Sequence, residues 1–370
     1  MGNYSSNGFG GVNAHIREIL LYVLSHPELE VSIDTFNLRS SATSSLLSSF
    51  SEFFAGPLTI YPRLLSKKLF VGIDVIHAHS TLVAVQAALH ARKRFGTSAV
   101  LTYHSVARPD LLRVRSVGEP YYRRLFYRRF LYNLFSVMPV LDSVIAVARW
   151  VQKDLRKYWG VKAKYIPNFI NLDKIISLAR SVDEAILRRA SIPSKPYVVW
   201  LGARLSPVKR PCDFVALARE FPDILFVMPG RNITYAALQR HCGAVPENLL
   251  AIDTSAFENH REVFLRVVME SKAAVLTSYY EAFGYVVLEA LALGVPVLVP
   301  DTGGPPEIVT PSVGAVYRTG QLDSLFDMFL DVWEHIKNGQ YSPEVLRNYV
   351  AERYSVHSVA PKIFRIYKRI

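Results

Sequence analysis

The chain of 370 residues carries 43 Lys and Arg against 31 Asp and Glu, a net charge of +12, and half of its residues are apolar. That length supports two domains with cores of their own, and the composition excludes a disordered chain. Two cysteines, Cys212 and Cys242, offer no disulfide framework and no metal-ligand spacing, no apolar run is long enough to span a bilayer, and residues 1–7 lack the regions of a secretion signal, so a reducing cytoplasm is expected.

Gly8-Phe-Gly10-Gly11 stands before residues 12–23, whose apolar positions 12, 16, 19, 20 and 23 repeat with a helical period. Glycines ahead of a helix let the backbone approach a ligand and offer N–H groups to a phosphate; an ordinary glycine turn has the same composition. Residues 30–38 alternate weakly as a strand, 39–51 form a serine-rich loop and 62–70 a short helix. Residues 73–79 make a strand that ends on His77 and His79. Two histidines two apart share a strand face and could ligate a metal. No carboxylate or cysteine at suitable spacing completes such a site, so the expectation is a structural or substrate-cleft role and no metal. Residues 82–94 form a helix, and the strand at 98–105 exits through His104, which alone reads as a hydrogen-bonded loop residue.

Between Arg92 and Arg129, ten basic residues stand against Asp110 and Glu119, a net +8. Such a block implies an anionic partner or surface. Residues 121–135 interleave aromatic side chains with Arg123, Arg124, Arg128 and Arg129. Arginine stems and tyrosines suit a boundary with one apolar and one wet side, so the segment reads as a contact to an anionic membrane surface. The competing reading is a domain helix with inward aromatics and solvated arginines. No recognition motif supports a nucleic-acid partner, and none is expected.

Residues 142–148 are a strand, and 150–159 a helix stopped by Gly160. After a helix and linker over 174–196, residues 197–202 open a second α/β series. Beyond that strand stand Arg204 and Lys209. A guanidinium fork and an ammonium five residues apart can clamp a diphosphate, although such a pair can equally be a solvated loop. Helices at 211–220, 235–242 and 261–270 alternate with strands at 224–230 and 249–252. Residues 273–276, 285–293 and 295–299 then read strand, helix, strand, with Gly294 closing the helix. Glu281 and Gly284 fall in the loop at the C-terminal edge of the first strand, where α/β sheets bind ligands. Glu281 and Glu289, eight apart, can accept hydrogen bonds from sugar or ribose hydroxyls; solvated surface glutamates would show the same spacing. A late strand at 316–318 and helices at 322–336 and 359–367 close the chain.

Glu281-x7-Glu289, the following Ala-Leu-Gly-Val-Pro-Val and Thr302-Gly-Gly-Pro-Pro-Glu-Ile-Val309 strongly resemble the retaining glycosyltransferases of family 4. That resemblance implies an α/β chain of GT-B fold, two Rossmann-like domains facing across a cleft. It gives an acceptor-binding domain over 1–168, a nucleotide-sugar-binding domain over 169–350 and a C-terminal helix over 351–370 that crosses back to the first domain. It also implies that Glu281 contacts the donor sugar and Glu289 the ribose, with Phe283 and Gly284 in the same donor loop. Arg204 and Lys209 match the family's phosphate-binding pair, Gly10 and Gly11 its loop facing the donor phosphates, and His104 the histidine that lies against the transferred sugar. Residues 249–252 would run near the base pocket. No cofactor beyond the nucleotide-sugar donor is required, and the acceptor is a sugar or a lipid-linked hydroxyl, with the enzyme in the cytoplasm or peripheral on the inner face of the cell membrane.

Three departures stand out. The strand expected before Gly10-Gly11 is missing, Phe169 replaces the usual glycine after Pro167-Asn168, and Arg210 stands where glycine is commoner. The missing strand keeps open a GT-B sugar-nucleotide-binding protein with weak or no transferase activity, and the architecture is shared with nucleotide-sugar epimerases. A phosphorylase would need a cofactor-lysine context that the sequence lacks.

Overall fold

The computed structural model describes residues 11–26, 72–79, 82–111 and 132–370. The expectations for Gly10, for a strand before it, for residues 30–70 and for Arg123, Arg124, Arg128 and Arg129 lie outside the described residues. Two compact units emerge, one drawn from Met1–Phe169 with Val359–Ile370, the other from Ile170–Ser358.

The first unit has a parallel sheet of β1 (Val75–His79), β2 (Ser98–Tyr103), β3 (Ser143–Ala146) and β4 (Ala163–Tyr165), in that spatial order. Ala99, Val100 and Leu101 are fully buried in succession, the pattern of a parallel strand covered on both faces. Helix α1 (Gly11–Leu24) buries Ile16, Ile19, Tyr22 and Val23 along one stripe. Helix α2 (Leu82–Phe95) packs on β1 and β2, and α3 (Arg149–Trp159) stops at Gly160, whose φ of 65° closes the last turn.

The second unit is built on a six-stranded parallel sheet. Its strands are β5 (Tyr197–Trp200), β6 (Leu225–Gly230), β7 (Leu249–Asp253), β8 (Ala273–Val275), β9 (Val297–Pro300) and β10 (Gly314–Tyr317). They run in the order β10-β9-β8-β5-β6-β7. The connecting helices are α4 (Leu172–Arg180), α5 (Pro211–Glu220), α6 (Tyr235–Cys242), α7 (His260–Met269), α8 (Tyr285–Ala292), α9 (Leu322–Lys337) and α10 (Pro343–Tyr354). Trp200, Phe214, Phe226, Met228, Leu298 and Phe329 share one core cluster. Truncating an aromatic at such a position costs about 3–5 kcal/mol. The last helix, α11 (Val356–Tyr367), delivers Phe364 and Tyr367 to the first unit, against Tyr22 and His77.

One expectation is corrected. Cys212 on α5 and Cys242 at the end of α6 are joined by a disulfide, 30 residues apart in sequence. The two helices pack together, which brings cysteines with no recognisable spacing into bonding range. No helix of the described residues is long and apolar enough to cross a membrane.

Candidate functional site

In the second sheet the chain steps from β5 outward through β6 and β7, then returns to pair β8 with β5 and steps the other way through β9 and β10. The loops leaving β5 and β8 therefore diverge. A crevice opens at such a switch point, at the C-terminal ends of the strands. The loop after β5 carries Arg204 and Lys209, and the loop after β8 carries Glu281, Phe283 and Gly284.

Buried hydrogen bonds fasten these two loops to each other. The Trp200 indole N–H donates to Thr277 Oγ1 at 2.8 Å, and the Thr277 hydroxyl donates to the Lys209 carbonyl at 2.8 Å. The Tyr279 N–H donates to the Val208 carbonyl at 2.7 Å. The clamp aligns the two charged side chains: Lys209 Nζ donates to Glu281 Oε1, and the Ser278 hydroxyl donates to the same oxygen at 2.9 Å. Only 15% of the Lys209 side chain and 22% of the Glu281 side chain are exposed, so each charge needs the other. Arg204 is exposed and makes no ion pair to a described residue.

The departure at Arg210 has a backbone cost. Its φ of 46° and ψ of 56° are left-handed, the conformation that favours glycine. A two-pronged ion pair with Asp213, at 2.6 and 3.1 Å, holds the arginine there, and its hydrogen bonding to Asp213 raises the guanidinium pKa.

The Thr302-Gly-Gly segment acquires a steric meaning. The Gly304 N–H donates to the Glu281 carbonyl at 2.9 Å. A Cβ on Gly303 would collide with the Glu281 backbone, and one on Gly304 with the Phe283 backbone. The two glycines let the loop after β9 lie directly on the loop after β8. Phe283 is buried, and Gly284, at φ 103°, turns the chain into α8.

Glu289 projects from α8 into the interior, 7% exposed, and Arg261 of α7 donates to its Oε1 at 2.7 Å. A solvated surface glutamate is thereby ruled out. The Arg261 pKa is raised, first by the charge of Glu289.

The remaining candidate, His104, lies in the first unit among three other histidines. His79 Nδ1 stands 3.0 Å from His104 Nε2, and the His15 ring lies 5.5 Å from that of His79 and 4.9 Å from that of His104, centroid to centroid. His77 has separate partners, Thr102 Oγ1 at 2.7 Å and the Tyr367 hydroxyl. Burial pulls the His104 pKa down to about 3, against a hydrogen bond to Asn168 that raises it. Burial first, and neighbouring histidines after it, holds His15, His77 and His79 well below the usual imidazole range. Gly11 begins α1, four residues before His15.

Within the second unit the fold thus carries Arg204 and Lys209 on the loop after β5 and Glu281, Phe283 and Gly284 on the loop after β8, joined through Lys209 and Glu281, with Glu289 on the helix that follows. Sequence reasoning missed Arg261, Thr277 and His15. Arg261 and Thr277 carry no local signal, because their partners are 28 and 77 residues away. His15 did carry one: it shares the buried stripe of α1 with Ile19 and Tyr22, and a histidine on such a stripe asks for a partner.

Residues 9–174 match the family model for Glycosyltransferase Family 4, and residues 182–335 that for Glycosyl transferases group 1. Among curated proteins, a GDP-mannose-dependent alpha-mannosyltransferase of Mycobacterium tuberculosis is 28% identical over 253 residues, 67% of this chain and 60% of that protein. An alpha-maltose-1-phosphate synthase of Mycolicibacterium smegmatis is 26% identical over 67% of this chain and 63% of its own length. The chain thus matches somewhat under two thirds of the length of these relatives. Among solved structures, a glycosyltransferase from Rickettsia africae superposes with a TM-score of 0.66 at 16% identity, covering 100% of this chain and 96% of its own. Anabaena HepE in complex with UDP-glucose gives 0.66 at 15% identity, with 100% and 98% covered. At these identities the likeness is one of fold, two Rossmann-like α/β domains with parallel sheets.

Proposed function

The chain belongs to the GT4-type glycosyltransferases of GT-B fold, and from that premise we propose that it is a retaining glycosyltransferase that moves a sugar from a nucleotide-sugar donor to a hydroxyl acceptor. The observation that carries the proposal is the Lys209–Glu281 ion pair fixed at the β5/β8 switch point. Such a pair can separate onto a sugar diphosphate: the ammonium turns to phosphate oxygens and the carboxylate accepts from sugar hydroxyls. Each group then exchanges one charged partner for another, so neither is left buried and unpaired.

In this reading Lys209 and Arg204 stabilise the negative charge that grows on the departing diphosphate. Glu281 orients the sugar, Glu289 accepts from the ribose, and the Gly10-Gly11 loop meets the donor phosphates. His104 meets the transferred sugar as a neutral imidazole, which can donate one hydrogen bond and accept another. The acceptor hydroxyl attacks from the face that the diphosphate leaves, which retains the anomeric configuration.

The acceptor is proposed to be lipid-linked, because the ten basic residues between Arg92 and Arg129 would draw the chain to an anionic surface at about 1 kcal/mol per basic residue near it. Salt-sensitive binding to anionic vesicles, lost on Arg→Ser changes at 123, 124, 128 and 129, is expected; equal, negligible binding to anionic and neutral vesicles would favour a soluble sugar acceptor.

The primary test is a panel of nucleotide sugars incubated with the protein, with released nucleoside diphosphate and anomeric configuration followed by NMR. One donor should give nucleoside diphosphate and a product of unchanged configuration. Donor binding without release under any acceptor would reduce the protein to a binding module, and inversion would reject the mechanism.

A further inference from the structure

We infer that His15, His79 and His104 form a three-histidine binding site for a borderline transition-metal ion, with Zn²⁺ the natural probe. The three side chains come from three separate elements: His15 from α1, His79 from the end of β1 and His104 from the residue beyond β2. Each can offer one ring nitrogen such that all three nitrogens lie within 4.8 Å of one another.

The 3.0 Å between His79 Nδ1 and His104 Nε2 is close to the roughly 3.3 Å that separates two ligands of a tetrahedral zinc with bonds of about 2.0–2.1 Å. A single hydrogen bond between those two rings would account for that distance. It does not account for His15. That ring is 1% exposed, and neither of its nitrogens has a hydrogen-bond partner among the described residues. A buried imidazole left so costs free energy of the order of 1–3 kcal/mol. Drawing its nitrogen onto an ion shared with His79 and His104 removes that cost with a side-chain adjustment of at most about 1.5 Å, the difference between the 4.8 Å within which the three nitrogens lie and the zinc spacing.

His77 supplies the contrast. It lies two residues before His79 on the same strand, yet its nitrogens meet Thr102 and Tyr367, so it stands outside the triad as a satisfied structural histidine. The expectation of no metal rested on the want of a local third ligand beside His77 and His79. The fold supplies two, from 64 residues upstream and 25 downstream of His79, where spacing gives no sign of them.

The donor set selects the ion. Three neutral imidazoles and no carboxylate suit Zn²⁺, Co²⁺, Ni²⁺ or Cu²⁺ and disfavour Mg²⁺ and Ca²⁺. Three histidines leave a fourth position open. The ion is proposed as a ligand that occupies His104, not as a cofactor of sugar transfer. Binding would withdraw the nitrogen of His104 that the proposed function assigns to the sugar, so bound zinc would suppress transfer. The site itself stands on geometry alone and survives if that function fails.

The test uses the full-length protein freed of metal by chelator and dialysis. Titration with Co²⁺ should give one saturable equivalent with intense visible bands of a tetrahedral site, displaced by Zn²⁺, while Mg²⁺ does nothing. His15→Gln and His79→Gln, each checked for an unchanged circular dichroism spectrum, should weaken binding at least tenfold and lose the bands; His77→Gln should keep them. X-ray absorption of the wild-type zinc complex should count three imidazoles, a reading that does not depend on any variant folding. No saturable equivalent in the wild type, bands that persist in His15→Gln, or fewer than two imidazoles at the zinc would each overturn the site.

Discussion

Arg261 and Glu289 form an ion pair of 2.7 Å inside the second unit, although 28 residues and a whole strand separate them. Glu289 sits on α8, the helix after the Glu281 loop, and Arg261 holds one of its two oxygens. The arginine thereby sets which way the carboxylate points, and on the proposed assignment the other oxygen accepts from the ribose. Arg261→Ala should leave a largely buried carboxylate without its cation. The cost should reach about 2–3 kcal/mol, below the ~3–5 kcal/mol of a fully buried pair because the arginine side chain keeps 27% exposure. Chemical denaturation measures it, and the double variant Arg261→Ala, Glu289→Gln should recover part of the loss. If Glu289 binds ribose, the single variant should also lose discrimination between the ribonucleotide and its 2′,3′-dideoxy analogue. Unchanged discrimination would separate Glu289 from the ribose.

Arg210 permits a cleaner measurement. Arg210→Gly and Arg210→Ala both remove the ion pair to Asp213, and only glycine relieves the left-handed backbone. Arg210→Gly should therefore be the more stable of the two by about 1 kcal/mol. Equal unfolding midpoints would mean that the turn relaxes once the arginine is gone.

Gly304 isolates contact from conformation. Its φ of −78° suits any residue, so Gly304→Ala carries no backbone penalty. The new Cβ would meet the backbone of Phe283, which cannot move without displacing the loop that carries Glu281. Overpacking of this kind costs about 1–3 kcal/mol. If that loop binds the donor, nucleoside diphosphate affinity should fall together with stability; wild-type affinity and stability in the variant would show that the loop yields freely.

Much of this was legible in the chain because the signals are local. The strands of the second unit are short, continuous apolar runs, and the positions of Glu281 and Gly284 follow from a strand–loop–helix order that sequence spacing preserves. Partnerships across the fold were not legible. Lys209 meets Glu281 over 72 residues, His15 nears His104 over 89, and Cys212 finds Cys242 only because two helices pack. The closing turns also shifted. The strand expected from Val295 begins at Val297, since the Val295 N–H still bonds back to Ala290 as α8 unwinds.

The Lys209–Glu281 pair gives the sharpest discrimination, because the two partners should respond with opposite sign. Free nucleoside diphosphate carries phosphates and no sugar. On the proposed assignment it therefore needs Lys209 and gains nothing from Glu281, which competes for the same ammonium and adds a negative charge nearby. Lys209→Met should weaken nucleoside diphosphate binding by about 1.5–3 kcal/mol, the scale of a charge-assisted hydrogen bond. Glu281→Gln should leave that affinity unchanged or tighten it, since the lysine is released to the phosphates. The same Glu281→Gln variant should turn over the nucleotide sugar at a small fraction of the wild-type rate, because the carboxylate proposed to orient the sugar is gone. Calorimetry with the nucleoside diphosphate and turnover with the full donor read the two effects separately. If Glu281→Gln weakened the diphosphate as much as Lys209→Met does, the pair would act only as a structural clamp on the two loops. The division of phosphate and sugar between the two side chains would then be wrong.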